Sequence, residues 1–258
     1  MLRINWMTTD DVNEVHALVS TSFEPKLRPY MTSAQPGAAR FLDAFVRYGA
    51  LRPDRCYRVA RSAEGSLLGY ADLRLTGEST SFLSYIAVAP EARGRGVAGA
   101  ILDSFLAEHP DVSSMELDVF AKNVAARGLY EKRGFSSKNR TEWWVRKPPA
   151  PSRVPAGWVL NNAADATAWA NSFGFCEYQF DTGVSLRTFG QIGAETLKCY
   201  SARDFQDDGL LSAVTAIIPT IQRVLFVGES DLGPPVSDCY SINSSLRMAC
   251  HSLRTFGG

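Results

Sequence analysis

The stretch Ser84-Tyr-Ile-Ala-Val-Ala-Pro-Glu-Ala-Arg-Gly-Arg-Gly-Val-Ala98 decides the fold of the first 147 residues. Residues 85–89 make a short apolar strand that Pro90 must end, because proline cannot donate to a sheet ladder. Gly94 and Gly96 remove side chains where a ligand would approach the backbone closely. Val97, Ile101, Leu102 and Phe105 then recur at helical spacing, which predicts a helix over 97–108. Strand, glycine loop and helix together turn backbone N–H groups, a helix N-terminus and two arginines, Arg93 and Arg95, toward one anion such as a pyrophosphate.

Three glycine-loop readings compete. Gly94-x-Gly96-x-x-Gly99 fits a dinucleotide fingerprint literally, and Asp118 lies 22 residues beyond Gly96. That fingerprint follows the first strand of its domain, whereas this loop sits in mid-domain behind a Pro-Glu-Ala-Arg turn. A P-loop would end in Gly-Lys-Ser/Thr, which is absent. Arg93-Gly94-Arg95-Gly96-Val97-Ala98, preceded by Ile-Ala-Val-Ala-Pro-Glu, instead resembles the acyl-CoA loop of the Gcn5-related N-acetyltransferase (GNAT) superfamily, Arg/Gln-x-x-Gly-x-Gly/Ala. A second segment resembles that family's next element: Leu117-Asp118-Val119, then Asn123, then Leu129-Tyr130-Glu131-Lys132-Arg133-Gly134-Phe135.

The resemblance implies an α/β fold of mixed type, with a central, mostly antiparallel sheet flanked by helices. It implies acetyl-CoA as co-substrate and direct acetyl transfer to an amine. The amides of residues 93–98 would cradle the pyrophosphate. The backbone of Ile86, Ala87 and Val88 would pair with the pantetheine arm, in a splay between neighbouring strands. Asn123 would lie near that arm and the Tyr130 hydroxyl near the sulfur. The two are seven residues apart, about two helical turns. A phenol titrates near 10 and a thiol near 8.5, so Tyr130 would hold a proton to give to the departing thiolate. For the base, Asp118 comes first, Glu116 second on the same strand face, and Glu78 third. Ordered water is the alternative to a single base. Tyr30, Trp143 and Trp144 are the aromatic candidates for lining the acceptor site, and each has a core reading beside that one.

Composition bounds the partners. Net charge is zero, so no general attraction to nucleic acid or to a membrane is expected. Residues 1–147 carry 20 basic and 17 acidic residues, and 148–258 carry 7 and 10, so the halves differ as +3 and −3. The N-terminus lacks a secretory pattern, and no uncharged apolar run approaches membrane-spanning length. The five cysteines form no Cys-x-x-Cys pair and the three histidines have no metal-ligand spacing. These features predict a cytoplasmic protein without a metal. The family resemblance adds a homodimer as the expected assembly.

The Pro-rich stretch 148–156 reads as a linker between a catalytic domain, 1–147, and a second α/β domain, 157–258. The second half opens with strand then helix, as the first does, but has no Arg-x-x-Gly-x-Gly/Ala. A degenerate second acetyltransferase-like half and an unrelated α/β domain are both open readings. The leading function is an N-acetyltransferase acting on the primary amine of a small molecule. A protein N-terminus or lysine is the alternative acceptor. A non-catalytic acyl-CoA sensor or partner-binding module is the alternative class.

Overall fold

The computed structural model describes residues 2–51, 53–229 and 234–253. They form two compact units. One draws on the described residues of Met1–Phe23, Phe41–Asn139 and Ser245–Gly258, the other on Glu24–Arg40 and Arg140–Ser244. The contiguous halves 1–147 and 157–258 expected from the linker are therefore not the units of the structure. Residues 24–40 and 140–147 go with the second unit, and the chain's last described segment returns to the first.

The first unit begins with β1 (Arg3–Trp6) and α1 (Val12–Ser22), followed along the chain by α2 (Ala38–Arg47). Then come β2 (Arg55–Arg61), β3 (Leu67–Leu75), β4 (Thr80–Val88), α3 (Val97–Glu108), β5 (Ser114–Phe120) and α4 (Val124–Lys132). Val12, Val15, Leu18 and Val19 bury one face of α1, which packs on β3 and β4. Its start is set by the residues just before it. The Thr8 N–H and Oγ1 both donate to Asp11 Oδ2, at 2.7 and 2.9 Å.

Apolar and polar residues mix over 136–146 without a glycine or proline to divide them. They form one long strand, β6 (Ser136–Arg146). The second unit continues with β7 (Val159–Leu160), α5 (Ala163–Phe173), β8 (Phe175–Asp181), β9 (Leu186–Ile192) and β10 (Thr196–Cys199). After these come α6 (Ala202–Gln206), α7 (Asp208–Ile217), β11 (Arg223–Glu229) and β12 (Tyr240–Cys250).

Each unit draws on six strands, and the two sets share a plan. In the first the strand order is β1-β2-β3-β4-β5-β12, antiparallel throughout except for the parallel pair β4–β5. In the second it is β7-β8-β9-β10-β11-β6, again antiparallel except for β10–β11. Strand for strand, β7–β11 repeat β1–β5. The sixth strand is exchanged. Ser245–Cys250 of β12 pair with β5, whereas Thr141–Arg146 of β6 pair with β11. This repeat is the mixed, mostly antiparallel architecture expected, and it occurs twice.

Candidate functional site

The first unit's sheet opens between β4 and β5. These strands pair from Thr80↔Ser114 to Leu83↔Leu117 and no further, although both continue. The opening starts at a bulge. The register against β3 steps from Leu73↔Leu83 to Asp72↔Tyr85, which leaves Ser84 without a partner strand residue. Such a bulge bends its strand and twists it away from its neighbour. The Ser84 hydroxyl is buried and has no hydrogen-bond partner among the described residues. Beyond it, Ile86, Ala87 and Val88 pair with β3 on one side. On the other side, alternate residues turn N–H and C=O groups into the gap. Phe23, just past α1, wedges the two strands: its ring meets Tyr85 edge-on at 6.3 Å and Phe120 at 6.2 Å.

The glycine loop closes one end of this gap. Gly94 and Gly96 have φ of +74° and +78°. A Cβ on either would meet nothing within 4 Å, so backbone angle rather than crowding demands glycine there. Gly96 is the N-cap of α3 and supplies no capping side chain. Among the described residues, no backbone carbonyl accepts from the N–H groups of residues 94–98. These orphan donors and the helix dipole make an anion site, with the exposed Arg93 and Arg95 beside it. Arg93 Nε–H also donates to the Val88 carbonyl at 3.2 Å, tying the loop to the end of β4. Gly99, the third glycine of the literal fingerprint, serves packing: a Cβ there would lie 2.8 Å from Arg133 Nη2. Arg133 makes a two-point ion pair with Asp103, at 2.8 and 2.9 Å, and so joins α4 to α3. A buried polar atom without a partner, an unpaired strand edge and an open amide nest suit an elongated, amide-rich ligand that ends in a pyrophosphate.

Tyr130 is buried on α4, its ring 5.7 Å from that of Phe135. Burial alone pushes its phenol up well above the usual value. Asn123 is the N-cap of α4 rather than part of its body, and its Oδ1 accepts from the Ala126 N–H at 3.1 Å. Its Nδ2 donor is turned to no such task.

The carboxylates have a partner that the sequence did not suggest. Arg247, on β12, grips Asp118 through Nε at 2.6 Å and Nη2 at 2.9 Å, and reaches Glu116 through Nη1 at 3.1 Å. The hydrogen bond that Arg247 donates to Asp118 is the main cause of the raised Arg247 pKa, against an opposing effect of burial. Register explains the contact, since Arg247 stands directly opposite Asp118. Glu78 precedes β4, on an exposed turn.

Tyr30, Trp143 and Trp144 belong to the second unit. Tyr30 packs with Val145, Ile192 and Leu225, and Trp143 lies against that cluster. Trp144 leaves the other face of β6 and packs against the larger core around Phe180, Phe189 and Leu211. The second unit's own counterpart of the opening is closed. β10 has four residues, and all of them pair with β11. The chain then turns at Ser201 directly into α6, where Phe205 is fully buried and Arg146 donates to its carbonyl at 3.1 Å.

Among the described residues no group of three or more His, Cys, Asp or Glu side chains is placed to hold a metal. No described helix is long and apolar enough to cross a membrane.

Comparison with known proteins bears on this geometry. Residues 14–135 match the sequence model of the acetyltransferase (GNAT) family. A mycothiol acetyltransferase of Beutenbergia cavernae is 31% identical over 113 residues, which cover 42% of this chain and 38% of that protein. The chain thus matches well under half the length of that relative. Over nearly the full length, the fold is similar to a tandem GNAT protein from the clavulanic acid biosynthesis pathway. That similarity has a TM-score of 0.66 at 14% identity and covers 97% of this chain and 98% of the other. A GCN5-related N-acetyltransferase from Sphaerobacter thermophilus is also similar, with a TM-score of 0.59 at 12% identity, covering 100% and 98%. At such identities the likeness is one of fold.

Proposed function

We propose, from the premise that this chain belongs through residues 14–135 to the acetyltransferase (GNAT) family, that it carries acetyl from acetyl-CoA to a primary amine of a small molecule. Transfer is by direct attack in a ternary complex. The observation that carries this reading is the opening of β4 from β5 at Ser84, beside the Gly94–Gly96 nest.

Acetyl-CoA, when bound, supplies the acetyl group as an activated thioester. The amides of Gly94, Arg95, Gly96, Val97 and Ala98 bind its pyrophosphate, and the side chains of Arg93 and Arg95 add charge. The backbone of Ile86, Ala87 and Val88 binds the pantetheine arm as a strand edge binds an added strand. The Ser84 hydroxyl and the Asn123 Nδ2 group hydrogen-bond along it. Tyr130 holds a proton at Oη and donates it as the thiolate departs; its raised pKa keeps the phenol protonated at neutral pH. On the amine side, both oxygens of Asp118 already accept hydrogen bonds from Arg247, so the carboxylate is engaged as an ion-pair partner. Arg247 engages Glu116 as well, and the two contacts favour a water relay over either strand carboxylate as a single base; Glu78 lies apart, on an exposed turn. The packing of Tyr30, Trp143 and Trp144 within the second unit favours a structural role for all three.

Calorimetric titration with acetyl-CoA, with NADH as control, tests the cofactor. The expected result is acetyl-CoA binding that is lost when Arg93 and Arg95 are both changed to alanine. Binding of NADH instead, or of neither, defeats the reading. A screen of amines and of short peptides with free N-termini then tests the acceptor. Retained acetyl-CoA binding without turnover of any amine would select the non-catalytic acyl-CoA-binding alternative, which the occupied Asp118 also favours.

A further inference from the structure

The second unit carries a cavity of its own, of about 400 Å³, between α5 and the outer face of β8, β9 and β10. Its size is that of a small-molecule site. The first unit has two helices between its first and second strands, α1 and α2. In the second unit α5 runs straight into β8 through Gly174. One helix covers the face that two helices follow in the first unit, and polar residues stand on the uncovered part.

Those residues are arranged around Gly190. Glu177 on β8 and Lys198 on β10 are both its register partners, one on each side. Their backbones are therefore two strand spacings apart, roughly 10 Å. Tyr200 lies across the glycine between them. A Cβ on Gly190 would come within 2.9 Å of the Tyr200 hydroxyl, so the absence of a side chain makes room for the phenol. The phenol donates to Glu177 Oε1 at 2.8 Å, and Lys198 Nζ stands 5.3 Å from the centre of the same ring. The carboxylate thus sits at the hydroxyl of one aromatic ring and the ammonium over its face, both lining the cavity, and neither neutralises the other by direct contact among the described ion pairs. On α5, Asp165 and Trp169 are one turn apart and line the opposite wall; Trp169 is 46% exposed. Burial pulls the Lys198 ammonium down, while the Glu177 charge pushes it up.

We infer that this cavity binds an extended zwitterion, a molecule with an ammonium group at one end and a carboxylate at the other. The ammonium is received by Glu177 and Asp165, the carboxylate by Lys198, and the linking chain lies along Tyr200 and Trp169. An α-amino acid, with both charges on one carbon, is too short to reach both ends. Two extended residues span about 7 Å, and an ω-amino acid of similar length fits equally. This site is independent of the acetyl-transfer reading and involves none of its residues.

The test is calorimetric titration of the full chain with 6-aminohexanoate, pentylamine, hexanoate and glycine. Pentylamine and hexanoate each lack one charged end, and glycine lacks the span. The expected order places 6-aminohexanoate at least about tenfold tighter than any of the other three, the gain of a second charge-assisted contact. Lys198→Met should bring 6-aminohexanoate down to the level of pentylamine and leave pentylamine unchanged. Glu177→Gln should weaken pentylamine and leave hexanoate unchanged. Equal binding of all four probes, or no binding of any, overturns the proposal on the unmodified protein, whatever the variants do. Alanyl-phenylalanine assigns the source: tighter binding than 6-aminohexanoate points to a peptide, and weaker binding to an ω-amino acid.

Discussion

A phenol shielded from water is a good store for one proton and a poor source of charge. Tyr130 is 3% exposed, and nothing but burial moves its pKa. Tyr130→Phe keeps the ring and its contact with Phe135 but removes the proton. Turnover should fall by about 10²-fold, the usual scale for one general acid, with acetyl-CoA affinity within about twofold of the parent. Single-turnover kinetics beside calorimetry checks both; unchanged turnover would remove the general-acid role. A second residue-scale effect lies elsewhere in the first unit. His109 Nε2 is 3.4 Å from the buried Cys56 thiol, and burial, with help from the Arg58 charge, holds its pKa below the usual value. The unfolded chain therefore takes up this proton first. Stability is full above about pH 6.5, the unfolded value, and declines as pH falls from there toward the folded pKa. His109→Asn should flatten that part of a urea-denaturation profile against pH. A slope that persists in the variant would assign it to another group.

Among the elements, the loop and its helix were legible because their chemistry is local. Pro90, Gly94, Gly96 and the apolar spacing from Val97 lie within one short run of sequence. The loop's conformation can be tested in the same terms. Gly96→Ala forces a side chain into the left-handed region at φ +78°, which costs about 1–2 kcal/mol. Thermal unfolding should show that loss, and acetyl-CoA affinity should fall with it as the amides turn away; full affinity in a destabilised variant would separate the two. The opening next to the loop was foreseen only through family likeness. Its physical origin, the Ser84 bulge, is a matter of register against β3, and nothing in the run Leu83-Ser84-Tyr85 marks it. Phe23 was missed because it fell in a stretch read as loop, and its partners Tyr85 and Phe120 come from far along the chain. β9 was also missed. Gly190 and Gln191 interrupt its apolar pattern, and both are there for side-chain reasons: room for Tyr200, and an acceptor for the Tyr178 hydroxyl at 2.5 Å. The grip of Arg247 on Asp118 joins residues 129 positions apart, which no local pattern encodes.

At the scale of the whole chain, the exchange of β6 and β12 is what composition could least reveal. A proline-rich stretch looks like a boundary, yet each sheet takes its sixth strand from beyond it. A chain ending at residue 147 would keep the glycine loop and Tyr130 but lose the strand opposite β5, with Met248, Ala249 and Cys250, all buried. Such a fragment should show no cooperative urea transition, whereas the full chain should unfold cooperatively. A fragment that unfolds cooperatively and binds acetyl-CoA would show β12 to be dispensable.

The same exchange sets an order of events during synthesis. Domains commonly fold as they leave the ribosome, the N-terminal one first. Here the first unit cannot finish early, because the strand that completes its sheet is made only after residues 140–244 of the second unit. Pairing over such a separation also slows the search for the native register. Until then β5 presents an unpaired edge in a nascent chain, and the glycine loop can be complete in sequence well before the sheet beneath it is complete in structure.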